Sequence, residues 1–149
     1  MTNAVGTEKF AVVGTIDPDV LAAGQHDSDS VDMSLFESVT VIAMVGTLGS
    51  SATVACVVKS GAVDGTFGNT VDTASTLTQA STDQSDRQVV FNIRGEDLTA
   101  GDRYLRLEMT VAVASSDGGA ILLGHNPRYS PASDSDLASV EQIRNSSDV

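Results

Sequence analysis

Phe36-Glu37-Ser38-Val39-Thr40-Val41-Ile42-Ala43-Met44-Val45 is the stretch on which the fold of this chain turns. It is rich in β-branched residues, contains no proline, and stops at Gly46, which is the signature of a strand. Val39, Val41, Ala43 and Val45 share one side; Thr40, Ile42 and Met44 share the other. Both sides are largely apolar, so the strand is expected inside a sheet rather than at its edge.

Reading outward, Gly46 to Ser50 is a short glycine-containing link into Ala52 to Lys59, a second apolar run. Two strands so joined predict a hairpin. Upstream, Lys9 to Ile16 predicts a first strand, ended by Asp17-Pro18-Asp19, and Ala22 to Ser30 reads as an acidic loop. Downstream, Val63 to Asp86 is rich in Thr, Ser, Asp and Gly. It reads as an exposed insertion with a short edge strand near Thr66 to Val71. Arg87 to Ile93 is another strand, with Val89, Phe91 and Ile93 inward, and Gly95 to Gly101 is a turn-rich connection.

Arg103 to Ala114 alternates strictly. Leu105, Leu107, Met109, Val111 and Val113 face one way; Tyr104, Arg106, Glu108, Thr110 and Ala112 face the other, so one side is buried and one wetter. Ser115 to Gly119 signals a turn, and Ala120 to Leu123 would close a second hairpin. After Pro127 the chain turns polar. A short helix over Asp136 to Arg144 would align Leu137, Val140 and Ile143. These elements predict an all-β, antiparallel β-sandwich, jelly-roll-like or Ig-like, over residues 1–126, with an extended C-terminal arm over 127–149 that either docks on a neighbour or stays mobile.

Composition agrees and removes several function classes. The chain has 149 residues, 41% of them hydrophobic, enough for one core without disulfides. Aromatics are 4% and Trp is absent, so the core must be Val, Ile, Leu, Ala and Met. A net charge of −12 argues against nucleic acid and anionic membranes as partners. The single cysteine, Cys56, sits in an apolar run and reads as a buried hydrophobe. The N-terminus lacks a signal-peptide pattern, and no apolar run approaches the roughly 18 residues that span a bilayer. Synthesis in a cytoplasm is expected.

A catalytic constellation is not evident. His26 and His125 have no HExxH or CxxC context, and there is no GxSxG elbow, P-loop or dinucleotide fingerprint. Asp27, Asp29 and Asp32 lack the glycine and distal glutamate of a calcium loop. Gly61, Gly65 and Gly68 read as turn glycines. Asn145-Ser146-Ser147 is a glycosylation sequon by pattern only. No enzyme, metal or cofactor is expected. Arg87, Arg94, Arg103 and Arg106 cluster late in the fold, with Arg128 and Arg144 in the arm. They are either rim ion pairs of little individual worth or an interface. The interface candidates are Arg103, Tyr104, Arg106, Arg128 and Tyr129, joined by Leu137, Val140 and Ile143.

One order of motifs goes further. An early strand and an acidic loop ending in Val31-Asp32 precede Phe36-Glu37-Ser38-Val39-Thr40-Val41 and Val45-Gly46. Then come Gly61-Ala62-Val63-Asp64-Gly65-Thr66-Phe67, a Thr/Ser-rich loop, and Gly101-Asp102-Arg103-Tyr104-Leu105-Arg106. Over residues 8–125 this resembles small β-rich head proteins of tailed bacteriophages. The resemblance implies a capsid decoration or cement protein on the outer surface of the virion. Its implied partner is the major capsid protein, its implied state a homotrimer, and its implied place of assembly the host cytoplasm. From the residues alone, a carbohydrate- or surface-binding β-sandwich module is the alternative. Such a module usually presents an aromatic platform, for which only Tyr104 and Tyr129 are at hand.

Overall fold

The computed structural model describes residues 5–144; the sequon at Asn145 lies outside them. Ten strands follow a single turn of helix: β1 Phe10–Leu21, β2 Gly24–Asp27, β3 Val31–Asp32, β4 Phe36–Val45, β5 Thr53–Gly61, β6 Asn69–Thr73, β7 Leu77–Thr78, β8 Gln88–Arg94, β9 Tyr104–Ala112 and β10 Ser116–Pro127. They form two antiparallel sheets. The first runs β1-β10-β4-β8. The second runs β2-β9-β5-β6, with β3 continuing the β2 lane along β9 and β7 continuing the β6 lane along β5. With each interrupted lane counted once, this is the order of an eight-stranded jelly roll, and it decides between the two sandwich types expected.

The core lies between the sheets. Leu105, Leu107, Met109 and Val111 of β9 meet Val39, Val41 and Ala43 of β4, with Val54, Cys56 and Val58 of β5 and Leu122 of β10 all buried. β4 has the expected bounds and sits between β10 and β8. The alternation on β9 holds through Ala112. It fails at Val113, which has left the strand at φ 75° with 71% of its surface exposed.

Both expected hairpins are wrong. β4 pairs with β10 and β8, whereas β5 pairs with β9 and β6; β9 and β10 likewise lie in opposite sheets. The short links cross from sheet to sheet. Sheets pack about 10 Å apart, and a few extended residues at about 3.3 Å each span that gap. Length and glycine content suit either connection, and the choice of partner is not local.

Asp17-Pro18-Asp19 does not end β1. The strand continues to Leu21, and its register on β10 jumps between Ile16 and Asp19. Proline is tolerated there because β1 is an edge strand and a bulge needs no ladder donor. Gly119 of β10 makes the room: a Cβ on it would stand 2.9 Å from the Pro18 Cα. Gly118 and Gly119, expected in a turn, are therefore strand residues. The expected loop over Ala22 to Ser30 contains β2.

The C-terminal segment also departs from expectation. Arg128 N–H donates to the Leu35 carbonyl at 2.9 Å, and Ala132, in a 3-10 turn over Ala132–Ser135, is completely buried. The Val12 N–H donates to Asp136 Oδ1 at 2.7 Å, and the Leu137 N–H donates to the Val12 carbonyl at 2.9 Å. The segment docks on its own core and caps the outer edge of β1, a common way of blunting an edge strand. The helix expected over Asp136 to Arg144 does not form. Its first residues are committed to β1, and Leu137 to Val140 closes a tight turn instead.

Candidate functional site

The two outer faces of the sandwich differ in chemistry. On the second sheet, Arg106 of β9 lies 3.1 Å from Asp27 of β2 and 2.7 Å from Glu108, with its guanidinium carbon 4.6 Å from the centroid of the Phe67 ring. Phe67 arrives there because the loop after β5 folds back tightly. The Thr66 carbonyl occupies the space that a Cβ on Gly61 would need. Arg103 grips Asp32 with two hydrogen bonds, Nε to Oδ1 at 2.8 Å and Nη2 to Oδ2 at 2.7 Å. The bidentate pair holds the Asp32 carboxyl down at about 2. The same guanidinium lies over Tyr104 at 5.2 Å. Asp102 Oδ2 accepts from Ser60 Oγ at 2.6 Å and Asn69 Nδ2 at 2.8 Å.

Arg103 and Arg106 are thus neutralised within the chain and tie β3 and β2 to the sheet, as Asp102 does for Asn69 of β6. Tyr104 is half-buried among them. Arg128 and Tyr129 leave β10 beside the turn that carries Leu35, and Tyr129 is exposed. Leu137 and Val140 are half-buried beside the β1 edge, and Ile143 is exposed. The eight expected interface residues are spread over a sheet face, an end of the sandwich and a strand edge.

The outer face of the first sheet carries an exposed apolar patch among uncharged polar residues, and the sequence reading missed it. Thr15, Ile121, Ile42 and Val90 stand side by side across four strands. Gly119, Met44 and Gln88 form the next row and Leu123, Thr40 and Asn92 the row on the other side. Met44 is 51% and Val90 55% exposed. Where this face meets the β1 bulge it deepens into an open groove of about 770 Å³. Pro18, Val20, Met44 and Ile121 supply apolar lining, and Asp17, Asp19, Asp86 and Asp117 supply carboxylates. The signal was present in β4: an apolar second side was read only as a mark of an interior strand.

The cysteine and the two histidines make local contacts within the fold. Cys56 is buried, and desolvation pushes its thiol up to about 11. His125 Nε2 lies 2.9 Å from Thr40 Oγ1, and His26 Nε2 lies 2.8 Å from the Ala22 carbonyl oxygen. Among the described residues, no three His, Cys, Asp or Glu side chains converge as a metal site would require.

No known protein family matches the sequence, and no curated protein does. A solved structure shares the fold. A chain in the structure of infectious bursal disease virus, Gx strain, superposes with a TM-score of 0.50 at 15% identity over 83% of this chain. The corresponding Gt-strain structure gives 0.44 at 16% identity over 83% of this chain and 33% of its own. The VP2 subviral particle of that virus gives 0.44 at 16% identity over 78% and 32%. This chain spans about a third of those solved chains, 34% in the first case.

Proposed function

We propose that this protein is a non-enzymatic structural component of a virion. In its finer form, it is a decoration or cement protein that sits as a trimer on the outer surface of a phage head, contacts the major capsid protein, and stabilises the shell. The observation that carries this reading is the two-faced jelly roll. One sheet face is charged and satisfied by its own ion pairs, while the other carries an open apolar patch. Jelly rolls are recurrent shell-building domains, and the solved chain with a TM-score of 0.50 belongs to the structure of a virus. The order of motifs from Val31 to Arg106 supports the phage assignment. Many copies on a lattice make a modest contact collectively strong.

Co-sedimentation with purified heads tests the role, and native mass measurement of the free protein tests the trimer. Saturable binding with raised heat resistance of the heads is expected. Absence of binding to heads, together with saturable hits on a glycan array, would instead favour a sugar-binding jelly roll. Tyr104 beneath Arg103 leaves Tyr129 as the one well-exposed tyrosine for such a platform.

A further inference from the structure

We infer that the groove between the β1 bulge and the ends of β4 and β10 is a docking site for a peptide segment of a partner protein, one that carries apolar side chains flanked by lysine or arginine. The site needs no partner identity; that the partner is a capsid protein rests on the reading above. The floor is apolar and already outside the core. Val20 is 62% and Met44 51% exposed, beside Ile121 and the flat backbone of Gly118 and Gly119. A solvated apolar surface of this kind gains free energy when covered.

Charge complementarity selects the occupant. Asp17, Asp19, Asp86 and Asp117 line the groove, and no lysine or arginine does. The four ion pairs within the described residues use Arg94, Arg103 and Arg106, and none involves these four aspartates. Thr15 Oγ1 reaches Asp17 at 3.4 Å, and Asp19 accepts from the Val20 N–H at 2.7 Å. Each carboxylate keeps lone pairs for a cation. A second copy of this chain, at a net charge of −12, would bring repulsion to the same rim. A basic segment brings attraction, and its apolar side chains supply what charge alone does not, a defined register on Met44 and Ile121.

The test uses isotope-labelled full-length protein titrated with the synthetic amide Gly-Lys-Arg-Leu-Met-Lys-Arg-Gly and with its analogue carrying Ser-Ser in place of Leu-Met. Backbone shifts are expected at Asp17–Val20, Met44–Gly46 and Gly118–Ile121, with the analogue binding roughly tenfold more weakly. Met44→Lys and Val20→Asp should each weaken the peptide by a similar factor while thermal melting stays near wild type. Thr110→Lys, which adds the same charge to the opposite face, should not. Val20→Asp is decisive, because it adds an acid. If charge alone attracts the peptide, that variant binds more tightly, and the inference fails. It also fails if the analogue binds equally well, if shifts scatter over the surface, or if Met44→Lys instead disrupts a concentration-dependent dimer.

Head co-sedimentation separates this from the proposed function. Undiminished binding of Met44→Lys protein to heads would sink the groove as the capsid contact and leave the role standing. Peptide binding without head binding would do the reverse.

Discussion

The Asp32–Arg103 pair shows what a single residue does here. Asp32 is on the two-residue strand β3, too short to hold its lane by ladder hydrogen bonds alone. The bidentate grip of Arg103, together with the Met33 N–H on the Arg103 carbonyl at 2.9 Å, fixes it to β9. The Arg103 hydrogen bond is the largest cause of the lowered Asp32 value, opposed by desolvation and aided by Ser34. The sign follows from linkage. A carboxyl near 3.8 when unfolded and about 2 when folded adds stability that is fully present above the unfolded value and is lost as pH falls through about 2. Discounted for the solvent-exposed guanidinium, its worth is about 1 kcal/mol. Asp32→Asn should therefore lower urea stability by about that much at neutral pH. The gap between variant and wild type should narrow as pH drops from 4 toward 2. A gap that is constant across that range would show that the carboxylate charge is not the source. The same residues explain why the site was only partly legible. Arg103 and Arg106 stand out in an acidic chain, but apart from Glu108 the acids that neutralise them, Asp32 and Asp27, sit more than seventy positions earlier, and no local pattern announces that pairing. Nor does local pattern show that the apolar second side of β4, at Ile42 and Met44, faces water.

At the scale of elements, β1 is one of the two edges of the first sheet, and the chain covers it. Asp136 and Leu137 cover it at Val12, and Asp29 Oδ2 accepts the Thr15 N–H at 3.0 Å a turn of pleat further on. Removing the Asp136 carboxylate leaves the Val12 N–H without its partner. Asp136→Ala should cost about 1–2 kcal/mol in chemical unfolding, and the variant should associate through the uncovered edge at high concentration. An unfolding midpoint equal to wild type would mean that this end of the chain does not hold β1. The strands themselves were readable because each carries its own period. β4 has its expected bounds, β8 and β9 fall within about two residues of theirs, and Asn69–Thr73 is the edge strand expected in the insertion. Pairing was not readable, since β1 and β10 meet across almost the whole chain and the links that looked like hairpins change sheets. The Pro18 bulge was hidden for a related reason. Pro18 looks like a breaker until Gly119, a hundred residues later, is seen beside it.

For the whole molecule, the distribution of charge matters more than its total. Twenty acidic residues face eight basic ones. The ion pairs of the described residues gather three arginines, with Arg106 shared between Asp27 and Glu108. The fold gathers Asp17, Asp19, Asp86 and Asp117 from three segments of the chain around one groove, and unfolding spreads them apart. Folding therefore works against self-repulsion. Salt should relieve it, since the screening length falls from about 30 Å at roughly 0.01 M to about 8 Å at 0.15 M. The paired arginines pull the other way, because screening weakens exposed ion pairs as well. Repulsion should win, as the unpaired acids outnumber the pairs. The melting temperature is expected to rise by roughly 2–4 °C over that range in a calorimetric scan, the size of an effect near 1 kcal/mol. Asp19→Asn with Asp117→Asn, two rim carboxylates without basic partners, should raise the low-salt melting temperature and reduce the salt-induced gain. A melting temperature that falls with salt would instead make the Arg103 and Arg106 networks the dominant electrostatic term. It would also remove repulsion as the reason that the acidic rim favours a basic segment over a second copy.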